Sequence, residues 1–216
     1  MHPIPRKALE SLEKIWPELE QLLSGKEANR TRLIGIGGPG GAGKSSVAHW
    51  LVEKIPQTAI LPLDDYRLPR HVRAPHGILG SHPQGNDLER LNRDLDKARN
   101  GQAFDRPVFD SIAGEATATE TVPPVRNLLC EGEIAAHLPL RNSFGLFILV
   151  ESHWRVQLNT RLSRDIDNRS YSIKKALEVF LKSNLSDYPE HSRGAEAEAD
   201  MILYRTSHGT FRQRKR

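Results

Sequence analysis

Gly38-Pro39-Gly40-Gly41-Ala42-Gly43-Lys44-Ser45 fits the pattern G-x-x-x-x-G-K-[ST], and its flanks decide what it means. Upstream, residues 32–37 (RLIGIG) form a short apolar run bounded by glycine, which reads as a buried strand. Downstream, residues 46–52 have helical spacing. A glycine-rich turn between a strand and a helix N-terminus aims backbone N–H groups at a phosphate. Gly38, Gly40, Gly41, Ala42, Gly43 and Ser46 would form the cradle, Lys44 would reach the β- and γ-phosphates, and the Ser45 hydroxyl would hold Mg²⁺.

Working outward, residues 58–63 read as a second strand ending in Asp64-Asp65-Tyr66, and acidic residues at a strand's C-terminal end face the crevice of an α/β sheet. Residues 67–87 have no apolar period and read as a long loop of the kind that carries function. Leu88, Leu91, Leu95 and Ala98 predict a helix that stops at Asn100-Gly101, and a second irregular stretch, 102–124, follows. Further strands are expected at 125–130, 145–150 and 201–204, with helices at 154–168 and 173–185. Strands separated by helices imply an α/β fold, with a parallel sheet of about five strands covered on both faces. Before all of these, Leu9, Leu12, Trp16, Leu19, Leu22 and Leu23 predict one amphipathic helix, closed by Ser24-Gly25, on the outside of the sheet.

The chain has 216 residues, 38% hydrophobic and 27% charged, enough for one sizeable core. A single domain is expected: a helical appendage over 1–30, a core over 31–204 and a basic tail over 205–216. A lone cysteine, Cys130, excludes an intramolecular disulfide and suits a reducing compartment, so the cytoplasm is expected. No apolar run approaches the ~20 residues that span a bilayer, and no membrane role is expected. The formal charge of +4 is spread along the chain apart from residues 212–216 (RQRKR), which read as a solvated end, so nucleic acid is not an expected partner. His71, His76 and His82 lack the spacing of a zinc site.

Taken in order, the elements resemble the P-loop kinases of the uridine kinase and phosphoribulokinase type, whose relatives include pantothenate and glycerate kinases. The resemblance spans roughly 32–203 and rests on shared order: the glycine-rich loop, Asp64-Asp65-Tyr66 for D-x-[FY], His82 to Asp87 for H-P-x-x-x-D, Pro107-Val108-Phe109-Asp110 for P-V-Y-D, Glu131-Gly132, and the arginine-rich 161–169 segment. It implies a P-loop NTPase fold with a lid segment, ATP as donor, Mg²⁺ as cofactor and a small-molecule hydroxyl acceptor. Homodimers are common in such enzymes.

The same resemblance distributes roles. Phosphorylating a hydroxyl requires aligning it with the γ-phosphorus, removing its proton and neutralising charge on the transferring group. Asp64 is expected as the base and beside the metal, Ser45 and Glu131 as metal ligands, and Lys44 and Arg164 as catalytic cations. Arg161 and Arg169 would join Arg164 in clamping phosphate when a lid closes. From the residues alone, those arginines could instead pair locally with Asp165 and Asp167 on an ordinary charged face. Asp65, Tyr66, His82, Asp87 and Phe109 are expected at the acceptor, with Asp65 also able to serve Mg²⁺ through water.

The resemblance fails in places. Phe109 stands where uridine kinases have tyrosine, and Gly114 where they have histidine: a phenyl ring can stack but not hydrogen-bond, and glycine has no side chain to offer a nucleobase. Thr160 and Ser163 thin the lid. The acceptor stays open among nucleosides, sugars and small organic acids. The alternative is a nucleotide-gated regulatory module that hydrolyses ATP slowly.

Overall fold

The structure is a computed structural model that describes residues 4–24 and 30–214; Gly25, expected to close the N-terminal helix, and Lys215 and Arg216 of the tail lie outside the described residues. Its strands are β1 (Arg32–Gly37), β2 (Thr58–Pro62), β3 (Phe104–Asp110), β4 (Glu115–Val122), β5 (Asn127–Glu131), β6 (Leu146–Ser152), β7 (Met201–Arg205) and β8 (Phe211–Gln213). Six of them form one sheet in the order β2-β5-β1-β6-β7-β8, parallel except for β8, which runs antiparallel to β7.

β1 lies between β5 and β6, with Ile34 paired to Leu129 on one side and to Leu146 on the other. From β1 the chain goes first to the edge strand β2 and returns inward to β5, then crosses β1 to β6, so the loop after β1 hangs where the direction of strand addition reverses. Crevices at the carboxyl ends of parallel strands form at such points.

The helices are α1 (Arg6–Glu13), α2 (Trp16–Leu23), α3 (Lys44–Lys54), α4 (Arg70–Arg73), α5 (Leu88–Arg99), α6 (Trp154–Arg169), α7 (Ile173–Lys182), α8 (Tyr188–His191) and α9 (Ala195–Glu198). Alternation along β1 sorts the two faces. Ile34 and Ile36 pack with Val47, Trp50, Leu12 and Leu19 under α3, α1 and α2. Leu33 points the other way, into a cluster with Leu91, Leu95, Phe104 and Tyr66.

Several sequence expectations change. The single N-terminal helix breaks in two at Lys14-Ile15, because Pro17 sits in the first turn of α2 and a helix start tolerates proline where an interior does not. It packs on α3 and the sheet edge, with Trp16 edge-on to Trp50 at 5.7 Å and the Trp50 Nε1 donating to Glu13 at 3.1 Å. The 102–124 stretch is not irregular: β3 and β4 form an antiparallel hairpin with its own register. β4 is exposed along nearly its whole length, so its threonines supply strand propensity without the apolar alternation that would have announced it.

The tail is not a solvated end within the described residues. Thr206 to Thr210 turns the chain back, Phe211 is buried, and β8 extends the sheet to a sixth strand. Arg214 pairs with Glu151 at 2.6 Å and also with Glu196. The loop at 67–87 contains α4 and short 3₁₀ turns, and α7 continues through a π-helical turn at Ser183–Asp187 into α8.

Candidate functional site

The glycine-rich loop requires its glycines for measurable reasons. Gly38 has φ +148°, and a β-carbon there would sit 2.0 Å from the Val150 carbonyl oxygen of β6, so the strand and loop backbones could not approach with any side chain between them. Lys44 begins α3 and is buried, its Nζ donating to the Pro39 carbonyl at 3.1 Å across the loop it closes. Ser45 is exposed on the same turn and donates to Glu131, which ends β5 next door.

Lys44, Ser45 and Glu131 line one crevice of about 270 Å³ with Gly40, Gly41, Gly43 and Ser46 of the loop, together with Asp64, Glu133, Thr160, Arg164 and Arg205; Gly38 and Ala42 stay behind it. Ser45, Asp64 and Glu131, expected together from sequence, are therefore brought together. All three offer hard oxygen atoms, the donor set Mg²⁺ takes, and their small number suits an ion that keeps several waters. Burial raises the Glu131 carboxyl above its ordinary range, with Lys44 opposing and Asp64 adding to the rise. A divalent cation would supply the missing countercharge.

Asp64, Asp65 and Tyr66 form a 3₁₀ turn after β2, so three successive side chains diverge. Asp64 stays at the crevice, its side chain 46% exposed, and pairs with Arg67 at 2.6 Å. Burial works to raise its carboxyl, but Arg67, Lys44, Arg164 and Arg169 together hold it below the usual carboxylate range. Asp65 turns to the hairpin instead, pairing with Arg106 and accepting from the Phe109 N–H at 3.0 Å. Tyr66 is 1% exposed and donates to Asp94 at 2.8 Å. The expectation that Asp65 and Tyr66 touch the acceptor is corrected: they anchor the turn that presents Asp64.

The arginines divide as well. Arg164 is 41% exposed and reaches the crevice. Arg161 is buried, pairs with Glu133 at 3.2 Å, and donates to Ser183 at 3.0 Å and to Asn184. Asn184 in turn donates to the Gly40 carbonyl at 2.8 Å, so the network ties α6 and the π-helical turn to the phosphate loop. Glu133 is held below its usual range, Arg161 and Lys44 outweighing the effect of burial. Asp165, fully buried, pairs with Arg161 at 3.6 Å, Arg164 at 3.5 Å and Arg169 at 3.0 Å. Local pairing is thus realised around Asp165, while Asp167 accepts from the Ser163 hydroxyl at 3.0 Å. Arg161 and Arg169 open into a neighbouring cavity of about 400 Å³ and not into the crevice itself.

Phe109 and Arg67 also line that cavity. Asp87 does not; it caps α5, accepting from the Arg90 N–H at 2.9 Å, and so serves the helix start where an acceptor contact was expected. His82 likewise lines neither the cavity nor the crevice: its Nδ1 accepts from the Gln84 N–H at 3.2 Å, and its ring packs edge-on to His191 at 4.5 Å.

Behind His191 lies His137, 3% exposed and with neither ring nitrogen hydrogen-bonded. Burial first, then the charge of His191, lowers the His137 pKa to about 4. The imidazole folds neutral, while the unfolded chain takes a proton near pH 6.5. Stability from this group is therefore complete above that value and is lost as pH falls from about 7 to about 4, by about 3 kcal/mol at ~1.4 kcal/mol per pKa unit. Urea midpoints across that range should show the loss in the wild type, and a shallower slope in His137→Leu.

Glu133, Arg67 and Arg205 were not singled out by sequence. Glu133 is two residues from Glu131, and Arg67 directly follows the acidic turn, so proximity was the available signal. Arg205 ends β7 and donates to the Gly41 carbonyl at 3.4 Å, a contact set by sheet order that no local pattern carries.

A glycine-rich G-x-x-x-x-G-K-[ST] loop between an inner strand and a helix of a mostly parallel sheet, with acidic groups at the ends of β5 and β2, defines a P-loop α/β protein. The chain belongs to the Phosphoribulokinase / Uridine kinase family, whose profile matches residues 33–210. It is 25% identical over 188 residues to a uridine kinase of Chlamydia pneumoniae, covering 84% of this chain and 83% of that protein. It is 28% identical over 180 residues to a uridine kinase of Chloroflexus aggregans, covering 79% and 85%. The solved structure of D-glycerate 3-kinase from Cryptococcus neoformans superposes with a TM-score of 0.69 at 14% identity, over 95% of this chain and 99% of that one. The family and these relatives are kinases. Among the described residues, no helix is long and apolar enough to cross a membrane.

Proposed function

We propose that the protein is an ATP- and Mg²⁺-dependent kinase that transfers the γ-phosphate to a hydroxyl of a small acceptor in the cytoplasm. The observation that supports this most is the single crevice in which Lys44, Ser45, Asp64, Glu131 and Arg164 converge. The loop backbone and Lys44 hold the donor's phosphates, and Arg164 faces the transferring group. Ser45 and Glu131, with Asp64 nearby, would hold the Mg²⁺, which when bound neutralises charge on the phosphate oxygens.

Transfer forms a bond between the acceptor oxygen and the γ-phosphorus and breaks the bond from that phosphorus to the β–γ bridging oxygen. The hydroxyl proton goes to Asp64 and ADP leaves. Asp64 suits the task because it is ionised and solvent-facing, and Arg67 fixes its direction.

The test is ADP release with Mg-ATP across a panel of hydroxylated small molecules. Stimulation of at least about a hundredfold by one compound is the expected result. Slow hydrolysis that no compound accelerates would favour a nucleotide-gated module instead. A sharper check concerns the metal: Glu131→Gln should raise the Mg²⁺ concentration for half-maximal turnover by about tenfold, with a smaller change in the protein's thermal midpoint.

A further inference from the structure

We infer that the protein has a second ligand site, separate from the phosphate-loop crevice, which takes a neutral single-ring aromatic molecule whose one hydroxyl bonds to His137. The site is a cavity of about 160 Å³ between the start of α5 and the turns that follow β5. It shares no lining residue with the crevice or with the larger cavity beside it.

Size and wall set the class of occupant. Pro83, Leu88, Ile134, Leu138, Pro139 and Leu140 line the cavity, and no acidic residue, lysine or arginine does. Ile134 and Leu140 are buried whereas Leu138 is 50% exposed, which gives an apolar floor and a mouth at the surface. A cavity of about 150 Å³ with a comparable apolar lining takes one benzene ring. A charged ligand would surrender its hydration there with no counter-ion in return.

His137 supplies the polar feature. It lines the cavity, is 3% exposed, and has no hydrogen-bond partner on either ring nitrogen. The rings of His191 at 5.7 Å and Tyr188 at 6.1 Å pack against it without bonding to it. Its backbone is committed, the N–H donating to the Ile134 carbonyl at 3.0 Å and the carbonyl accepting from the Arg141 N–H at 2.9 Å. The residue is thus fixed at the cavity while its ring nitrogens stay unpaired. Buried polar atoms nearly always find a partner, so an orphan in a cavity wall calls for an occupant that supplies one.

The chemistry of that partner follows from the ring. Burial, then His191, keep the imidazole neutral at pH 7, which leaves one nitrogen to donate and one to accept. A hydroxyl answers either nitrogen, because it both donates and accepts. Asn92 is exposed and Ser143 half-buried, so water serves these other polar lining residues. The polar group of the occupant therefore belongs at His137.

The experiment titrates the full chain with phenol and with toluene, which match in size and differ by a hydroxyl for a methyl, and follows the ligand signals by NMR. In an apolar cavity that offers no partner, the hydroxyl's lost hydration makes phenol the weaker ligand. Here phenol is expected to bind at one site at least as tightly as toluene. His137→Leu should weaken phenol, relative to toluene, at least about tenfold. Leu138→Trp, which fills the mouth from an exposed position and leaves the histidine in place, should abolish binding of both probes, and it tests the site even if His137→Leu fails to fold. A non-hydrolysable ATP analogue with Mg²⁺ should leave phenol affinity unchanged, which separates this site from the crevice. Binding of neither probe would mean that water alone satisfies His137 and would overturn the inference. So would a preference for toluene in the wild type, an unchanged phenol-to-toluene ratio in His137→Leu, binding that survives Leu138→Trp, or displacement of phenol by the analogue. The kinase reading stands or falls apart from all of these outcomes.

Discussion

Asp64→Asn is expected to lower phosphoryl transfer on the order of 10³-fold while Mg-ATP affinity changes by less than about threefold. Asparagine keeps the shape and the hydrogen-bonding reach of the side chain but cannot accept the proton. Arg67, which lies 2.6 Å from the carboxylate, loses its ionic partner without losing a neighbour to bond. The side chain is 46% exposed, so stability should change little, and a lower rate would report chemistry and not unfolding. Equal loss of ATP binding and turnover would instead mark Asp64 as part of the nucleotide site. Full retention of transfer would remove it from the mechanism.

Arg161→Ala should produce the largest loss of stability. Its side chain is 6% exposed and that of Glu133 8%, so the substitution strands a buried carboxylate and also breaks the bridge through Asn184 to Gly40. Removing one member of a buried pair costs about 3–5 kcal/mol. For a chain of this size that corresponds to a fall of roughly 10 °C in the thermal midpoint. Adding Glu133→Gln should restore part of the loss, because it removes the uncompensated charge. A freely moving lid arginine predicts neither the fall nor the rescue, so calorimetric scans of the single and double variants separate the two roles.

Much of the phosphate-binding half was legible because its signals are local. The loop from Gly38 to Ser45 needs its residue types in consecutive positions, and Glu131 follows immediately on an apolar strand. The central strands showed as apolar runs because a parallel sheet buries both faces. β4 and β8 did not show, the first because its side chains are mostly exposed and the second because three residues with one buried phenylalanine make no pattern.

The acceptor half was less legible because side-chain direction there depends on tertiary packing. Asp64, Asp65 and Tyr66 are indistinguishable as neighbours in sequence, yet a 3₁₀ turn sends one to the crevice, one to the hairpin and one to the core. Asp87 was read as a ligand for hydroxyls and is a helix cap, a role the spacing at the start of α5 also fits. Arg70 and Arg73 lay in a stretch without periodicity, and only the folded chain brings them to the cavity that Lys175, Glu178 and Lys182 of α7 also line.

The most direct test follows the phosphate itself. ATP labelled in its γ-phosphate, incubated with Mg²⁺, the protein and the compound that most accelerates ADP release, should yield label in a phosphorylated acceptor in one-to-one ratio with ADP. That label should be absent with Asp64→Asn. Label appearing only as free inorganic phosphate, at a rate the acceptor does not change, would contradict the account.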